Sequence, residues 1–261
     1  MKLKNLLKRK SRIGRKYNHK RGKPFVAPKR LCVEVLPPSV DLRPQFPPCY
    51  DQGSWGTCVS NAVAGVIEFL QPATTRWVPS RMFLAWNAVT IHEEDGVRDF
   101  PEVLAPIFTS AGYTAESLWP YDFDHLDKQP NAIATMDALK HKIGGYLQIP
   151  ANDVQSIKAA LAQGKPVMIG VQCYSGFEDA ITASSGDVPT PGWIERLHGC
   201  LGGHGIVLVG YDDAKQKFIF RNSWGTRWGN NGFGTLGYDY ISNSILCDDA
   251  WTIASLVEVT P

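Results

Sequence analysis

Apolar residues recur every three or four positions through much of the first half of the chain, a spacing that predicts helices. The clearest run lies on one helical face and comprises Val59, Ala62, Val63, Val66, Ile67 and Leu70. Thr57 occupies the N-cap position ahead of this run, which places Cys58 in the first helical turn. Further helices are expected at residues 80–91, 99–111 and 153–163, the last two ending at glycines.

The second half of the chain contains short apolar runs between turns rich in glycine and aspartate. Residues 166–171, 205–211, 218–220 and 234–238 are predicted strands. Helices that come first and strands that come later are typical of an α+β protein with a helical lobe and an antiparallel β lobe. A cleft between two such lobes suits an extended ligand.

Charge is distributed unevenly along the 261 residues. Residues 1–30 contain 13 Lys and Arg and no acidic residue, whereas the rest of the chain has a net charge of −11. Pro37 and Pro38 mark a boundary. We therefore expect residues 1–37 to be a basic N-terminal extension and residues 38–261 to be the folded domain, mainly helical over 38–150 and mainly β over 151–261.

The basic extension has more than one interpretation. Blocks of like charge are usually disordered, yet a basic segment ahead of an acidic domain also suits a short prosegment that folds against that domain. A third hypothesis is a module that binds nucleic acid or another anionic surface through this arm, although no known nucleic-acid motif accompanies the basic residues. The sequence has neither an apolar run of membrane-spanning length nor a secretory signal pattern, which favours a cytoplasmic location or delivery by another route.

Three distant residues carry the candidate chemistry. Cys58, His204 and Asn222 are the parts of a Cys-His-Asn unit, in which a thiolate attacks a carbonyl, an imidazole moves a proton and an amide orients the imidazole. Gln52, six residues before the cysteine, is a candidate donor for an oxyanion hole. A helix N-terminus and a nearby imidazolium both favour the thiolate, so the predicted place of Cys58 supports a nucleophile.

The sequence around these residues resembles the papain-like cysteine proteases, and among them the small bacterial members. The matching positions are 52–54, Cys58, His204 and 222–232, and His204 follows Cys58 by 146 positions, which fits the spacing of the family. The resemblance implies a papain-like two-lobe fold and a cysteine endopeptidase that hydrolyses peptide bonds through an acyl-enzyme, without a metal or cofactor.

The resemblance also implies roles for further residues. Trp224 is expected to shield the hydrogen bond between His204 and Asn222 from water. Residues 95–98, with Gly96 and Val97, and Gly203 are expected to contact the substrate. Acyl transfer to an amine would use the same catalytic unit and remains an alternative to hydrolysis.

The local sequence departs from the family signature C-G-[SA]-C-[WY], because residues 55–59 read Trp-Gly-Thr-Cys-Val. Trp55 replaces a cysteine that forms a disulfide in secreted relatives. The loss of that bridge, and five cysteines left beside the nucleophile, favour a reducing compartment. We expect core positions for the other cysteines, above all Cys173 and Cys200, and leave their disulfide state open; these residues are Cys32, Cys49, Cys173, Cys200 and Cys247.

Cys200 and His204 also have the spacing of part of a metal site. A structural zinc needs four ligands, often from two CxxC pairs, and the sequence contains no such pair. The sequence therefore predicts no metal centre.

Overall fold

The computed structural model describes residues 35–92, 99–125 and 128–259. The helices in these ranges are α1 (Cys58–Leu70), α2 (Arg81–His92), α3 (Phe100–Thr109), α4 (Ala132–Ala138), α5 (Val154–Ala162), α6 (Ser175–Glu178), α7 (Ala180–Ser185), α8 (Trp193–His198) and α9 (Tyr238–Ser242). The strands are β1 (Ser39–Asp41), β2 (His141–Ile149), β3 (Val167–Cys173), β4 (Asp187–Val188), β5 (Gly202–Asp212), β6 (Lys217–Arg221), β7 (Phe233–Gly237) and β8 (Cys247–Glu258).

The described strands form one sheet with the order β2-β8-β3-β5-β6-β7-β4, and β1 pairs with β5 in addition. The pairs along this path are antiparallel except β4 with β7, which is parallel. Strand β5 is central, since β3 and β6 flank it and β1 extends its far end. Its register with β3 sets Val171 opposite His204.

Helix α1 lies between the other helices of its lobe and the sheet. Its residues from Cys58 to Phe69 are all buried, and it packs against α2 and α3 on one side and against β5 and β8 on the other. A helix that is buried on every face belongs to the centre of a core. Its N-terminus is consequently fixed where the helical and β lobes meet, which confirms the α+β two-lobe fold.

The predicted helices at 58–70, 80–91, 99–111 and 153–163 and the four predicted strands are all present, with boundaries shifted by at most three residues. Gly112 and Gly164, with φ of +65° and +71°, follow α3 and α5. Tyr238, predicted at a strand end, instead begins α9. Thr57 lies at the N-cap position, but the prediction of a capping side chain is wrong, because its hydroxyl bonds to other side chains.

Strands β2 and β8, paired with each other along their lengths, were not predicted. Strand β2 contains the pair Gly144-Gly145 and an irregular register beside it, and β8 opens with two aspartates after Cys247. These features hide the alternation of apolar and polar residues by which a strand is recognised. Strands β1 and β2 also show that residues from the range 38–150, which was expected to be mainly helical, join the sheet.

The chain enters the domain at the end of β5 that lies away from His204. The Tyr211 hydroxyl donates a hydrogen bond to the Pro37 carbonyl at 2.7 Å, and the Asp213 N–H donates to the Pro38 carbonyl at 3.0 Å. None of the helices in the described ranges has the length and apolar character needed to cross a bilayer.

Candidate active site

Cys58 is the first residue of α1 and is completely buried. The partial positive charge of a helix N-terminus stabilises a negative charge at this position. The next residue, Val59, faces β5: a Cβ added to Gly205 would lie 3.3 Å from the Val59 Cα. The first turn of α1 is therefore packed directly against the part of β5 that contains His204.

His204 is also completely buried, and its ring is held by Asn222. Its Nε2 lies 2.8 Å from the Asn222 Oδ1, and that oxygen also accepts the Ser223 N–H at 2.8 Å. Because the Ser223 N–H can only donate, the Asn222 atom facing both groups is the oxygen, and Nε2 must carry the proton. In the neutral ring, Nδ1 is then left as the basic nitrogen, and it has no hydrogen-bond partner in the described structure.

Burial lowers the pKa of His204 from 6.5 to about 4, and the hydrogen bond to Asn222 opposes this shift. The imidazole is thus neutral at physiological pH in this conformation. A neutral imidazole with an open basic nitrogen is able to accept a proton from a thiol.

Trp224 covers the histidine. Its ring centroid lies 4.9 Å from that of His204 with an interplanar angle of 30°, and the Phe177 ring lies 6.2 Å from His204 on an edge. Trp228 packs edge-on against Trp224 at 5.6 Å. These aromatic side chains pack around the buried ring of His204. The shielding role of Trp224 stays a prediction.

Gln52 is completely buried and is tied to the Asn222 segment. Its Oε1 accepts the Ser223 hydroxyl at 2.5 Å, its backbone N–H donates to the Ser223 carbonyl at 2.8 Å, and its Nε2 donates to the Trp55 carbonyl at 2.7 Å. A bridge between Asp51 and Trp224 continues the same pairing. The fold therefore brings Gln52, Cys58, His204 and Asn222 into one region at the meeting of the two lobes.

Of the residues expected to contact the substrate, the structure describes only Gly203. Gly203 is buried in β5, opposite Gln172 of β3. The segment 95–98, with Gly96 and Val97, lies outside the described residues. Among the described residues, no group of three or more His, Cys, Asp and Glu side chains is arranged to hold a metal ion.

The cysteines differ in burial. Cys49, Cys173 and Cys247 are buried as expected, but Cys200 is exposed, so its predicted core position is wrong. Its sulfur lies 3.2 Å from the Cys173 carbonyl and accepts the Gly202 N–H at 3.3 Å, in the turn that enters β5. No disulfide joins any of the described cysteines, and Cys32 lies outside the described residues.

Sequence reasoning missed two features of this region. A cavity of about 420 Å³ lies beside Trp224, where Asp51, Arg227 and Trp228 contribute to its wall. Arg81 and Tyr121 also contact the Gln52 segment from distant parts of the chain. The buried arginine offered a weak signal, since Arg81 directly precedes the apolar residues 82–86, but the sequence does not indicate which groups it contacts.

Comparison with known proteins identifies the family of this chain. The pattern that defines the papain family of cysteine proteases matches residues 36–250. The solved structure of xylellain, a cysteine protease from Xylella fastidiosa, superposes on this chain with a TM-score of 0.83 at 30% sequence identity. The match covers 95% of this chain and 98% of the xylellain chain.

Two sequence relatives extend the comparison. A peptidase C1-like protein of Acanthamoeba polyphaga mimivirus is 27% identical over 93% of this chain and 82% of its own length. The senescence-specific cysteine protease SAG39 of rice is 28% identical over 82% of this chain, which spans 62% of the rice protein. The chain belongs to the papain family of cysteine proteases and is a cysteine peptidase.

Proposed function

We propose that this protein is an endopeptidase that hydrolyses peptide bonds through an acyl-enzyme on Cys58. The observation that carries the proposal is the ring of His204, whose Nε2 is held by Asn222 while Nδ1 remains basic. This is the tautomer needed to take a proton from a thiol at the start of α1.

In the acylation step, His204 Nδ1 accepts the Cys58 proton and the sulfur attacks the substrate carbonyl carbon. The carbonyl π electrons move onto oxygen, and Gln52 Nε2 and the Cys58 backbone N–H stabilise that oxyanion. Collapse of the tetrahedral intermediate breaks the C–N bond as the imidazolium returns its proton to the leaving amine. Water then attacks the thioester by the same route in reverse, with His204 again acting as base.

Asn222 and Trp224 act on His204 rather than on the substrate. The Asn222 oxygen fixes the ring and stabilises the imidazolium, and Trp224 keeps water from that bond. We assign substrate contacts to Gly203 and to Gly96 and Val97, and the cavity beside Trp224 to residues after the scissile bond. No metal enters this mechanism.

The test uses internally quenched peptides with both ends blocked, and mass spectrometry of the products. Cleavage within a blocked peptide supports an endopeptidase, whereas cleavage that needs a free terminus refutes that assignment. Added amines that accumulate as acyl products at the expense of hydrolysis would favour acyl transfer instead.

We also propose that the N-terminal extension restrains this activity. Cys58 and His204 are both completely inaccessible to solvent, which suits a resting form that excludes substrate. The chain enters the domain near Asp212, eight residues along β5 from His204, or about 27 Å at the rise of a strand. Thirty-four extended residues reach roughly 110 Å, so residues 1–34 are long enough to return to the cleft.

The test compares the full chain with a shortened protein that begins at Pro37, two residues before Ser39, because the carbonyls of Pro37 and Pro38 are both hydrogen-bonded to the domain. Faster peptide turnover by the shortened protein supports restraint. A rate gap that narrows at high salt assigns part of the restraint to the basic residues, since salt screens exposed charges. Equal rates contradict restraint.

A further inference from the structure

A chain of hydrogen bonds runs from a buried guanidinium to the backbone of Gln52. The Arg81 Nη1 donates to the Asn61 Oδ1 at 3.1 Å, and the Asn61 Nδ2 donates to the Thr57 Oγ1 at 3.0 Å. The Thr57 hydroxyl lies 2.5 Å from that of Tyr121, and the Tyr121 hydroxyl lies 3.1 Å from the Gln52 carbonyl. We call these five residues the Arg81 relay.

The direction of each bond in the relay is determined. The Gln52 carbonyl can only accept, so the single proton of the Tyr121 hydroxyl points to it. Tyr121 must then accept from Thr57, whose oxygen is in turn the acceptor for the Asn61 amide. All the bonds therefore point the same way from a full positive charge, an arrangement in which each bond polarises and strengthens the next.

The start of the relay is fixed by its surroundings. Arg81 is only 8% exposed and makes two hydrogen bonds to the Glu116 carboxylate, at 2.7 and 2.8 Å. Its guanidinium lies between two rings, with Cζ 3.8 Å from the centroid of Tyr121 and 4.6 Å from that of Tyr50. A desolvated cation between aromatic faces and a paired carboxylate has little freedom to move.

The stack of Arg81 on Tyr50 continues to the other half of the site. The guanidinium of Arg221 also lies over the Tyr50 ring, with its Cζ 4.4 Å from the ring centroid. Arg221 immediately precedes Asn222, and the Tyr50 carbonyl accepts the Gly225 N–H at 2.8 Å. The same stack of side chains thus lies behind both the Gln52 segment and the Asn222 segment.

We propose that Tyr121 and Thr57 are positioning residues that set the orientation of the Gln52 carboxamide through the Arg81 relay. Tyr121 touches both ends of the loop that runs from Gln52 to Thr57, so it fixes the peptide of Gln52 relative to the start of α1. A donor in an oxyanion hole must be held to within about 0.5 Å to be effective. The relay supplies that rigidity. The Thr57 hydroxyl takes part in the relay and does not cap helix α1.

This inference rests on the proposed role of Gln52 as an oxyanion donor. The test compares Thr57→Val, which removes the hydroxyl at equal size, with Thr57→Ser, which keeps it, and adds Tyr121→Phe. All are made in the full-length protein, and the kcat and KM for a fluorogenic peptide, the rate of Cys58 alkylation by iodoacetamide and the Tm are measured. Alkylation reports the thiolate and needs no oxyanion donor.

We expect Thr57→Val and Tyr121→Phe to lower kcat about five- to tenfold, the scale of one lost hydrogen bond, while KM and the alkylation rate stay within about twofold. Thr57→Ser, which keeps the hydroxyl, should retain the kcat of the wild type. In a Gln52→Ala background, Tyr121→Phe should have less than about a twofold effect, because a residue that acts through Gln52 has nothing left to position. Tyr113→Phe, in a buried tyrosine stacked on Trp77, is the control for loss of a ring hydroxyl.

The outcomes separate the two proposals. If Gln52→Ala lowers kcat but Tyr121→Phe and Thr57→Val do not, the relay has no positioning role and the oxyanion assignment stands. A Tyr121→Phe effect that persists in full without Gln52, or a matching fall in alkylation, also overturns the relay. If Gln52→Ala leaves kcat unchanged, the oxyanion assignment itself fails, and the relay proposal fails with it.

Discussion

The two halves of the active site are held in place by different kinds of interaction. His204 belongs to a strand that is hydrogen-bonded through its backbone to β3 on one side, and its position follows from the register of the sheet. Gln52 lies in a loop that has only a short backbone bridge to the Asn222 segment and is otherwise held by the side chains of Ser223 and Tyr121. The half with the base therefore depends on backbone pairing along a whole strand, and the half with the oxyanion donor depends mainly on individual side chains.

Two buried cysteines also differ in the backbone elements that hold them. Cys58 and Cys173 are both completely inaccessible, but Cys173 is the last residue of β3, and burial raises the pKa of its thiol well above 9. Cys58 begins a helix, where the aligned peptide dipoles favour a thiolate. Burial alone does not distinguish the proposed nucleophile from the other buried cysteine, whereas the backbone position does.

The largest expected effect is that of Cys58→Ala. It removes the nucleophile, so turnover should fall by about 10⁴-fold or more, the scale for losing one member of a cooperative catalytic unit. The kcat for a fluorogenic peptide and mass mapping of iodoacetamide adducts measure it. Cys173→Ala is the matched control and should keep most of the activity. Alkylation centred on Cys173 or Cys200 would contradict the assignment.

Gln52→Ala should come second. Loss of one oxyanion donor lowers kcat by about 10²–10³-fold, and KM should change little because the bond strengthens mainly in the transition state. Steady-state kinetics with one peptide measure both constants. Gln71→Ala is the control, since Gln71 is another buried glutamine, at the opposite end of α1. An effect confined to KM would remove Gln52 from the oxyanion hole.

Asn222→Ala tests the half of the site built on the sheet. A hydrogen bond to a charged group contributes about 1.5–3 kcal/mol, so kcat should fall by about 10- to 100-fold as the imidazolium loses its partner. Rates are compared with those of Asn152→Ala, which removes an amide outside the site that donates to the backbone carbonyls of Ile241 and Cys247. A smaller effect than that of Gln52→Ala is expected because the strand still holds His204. The reverse order would contradict the contrast between the two halves.

The sequence predicted the parts of the site whose position is local or periodic. Helix α1 and strand β5 were visible in the apolar spacing, so Cys58 was placed at a helix start and His204 in a strand. The residues that orient Gln52 could not be predicted, because Arg81 and Tyr121 lie 29 and 69 positions further along the chain. Their contacts depend on how the helical lobe packs, and no sequence spacing encodes that packing.

Thr57 shows the same limit at one residue. Its position before an apolar helix predicts a capping hydroxyl, and the helix does begin there. Its side chain instead bonds to Asn61 and lies against Tyr121. A tertiary partner has replaced the local one, which sequence propensities cannot anticipate.

The last prediction concerns the pH dependence of stability in the half that holds the base. The pKa of His204 is about 4 in the folded protein and 6.5 when unfolded, so below pH 6.5 the unfolded chain binds more protons. Stability is therefore fully present above pH 6.5, falls as the pH is lowered, and levels off below about pH 4. The shift corresponds to about 2 kcal/mol lost at pH 5 and about 3 kcal/mol in full.

Urea unfolding of the wild type and of His204→Gln between pH 7 and pH 4 measures this contribution. Other groups titrate in the same range, so the quantity of interest is the free energy of unfolding of the wild type minus that of His204→Gln. This difference should fall by about 2 kcal/mol from pH 7 to pH 5. Parallel curves for wild type and His204→Gln would mean that His204 is not held neutral by burial, and that the base half is more open to solvent than the sheet register implies.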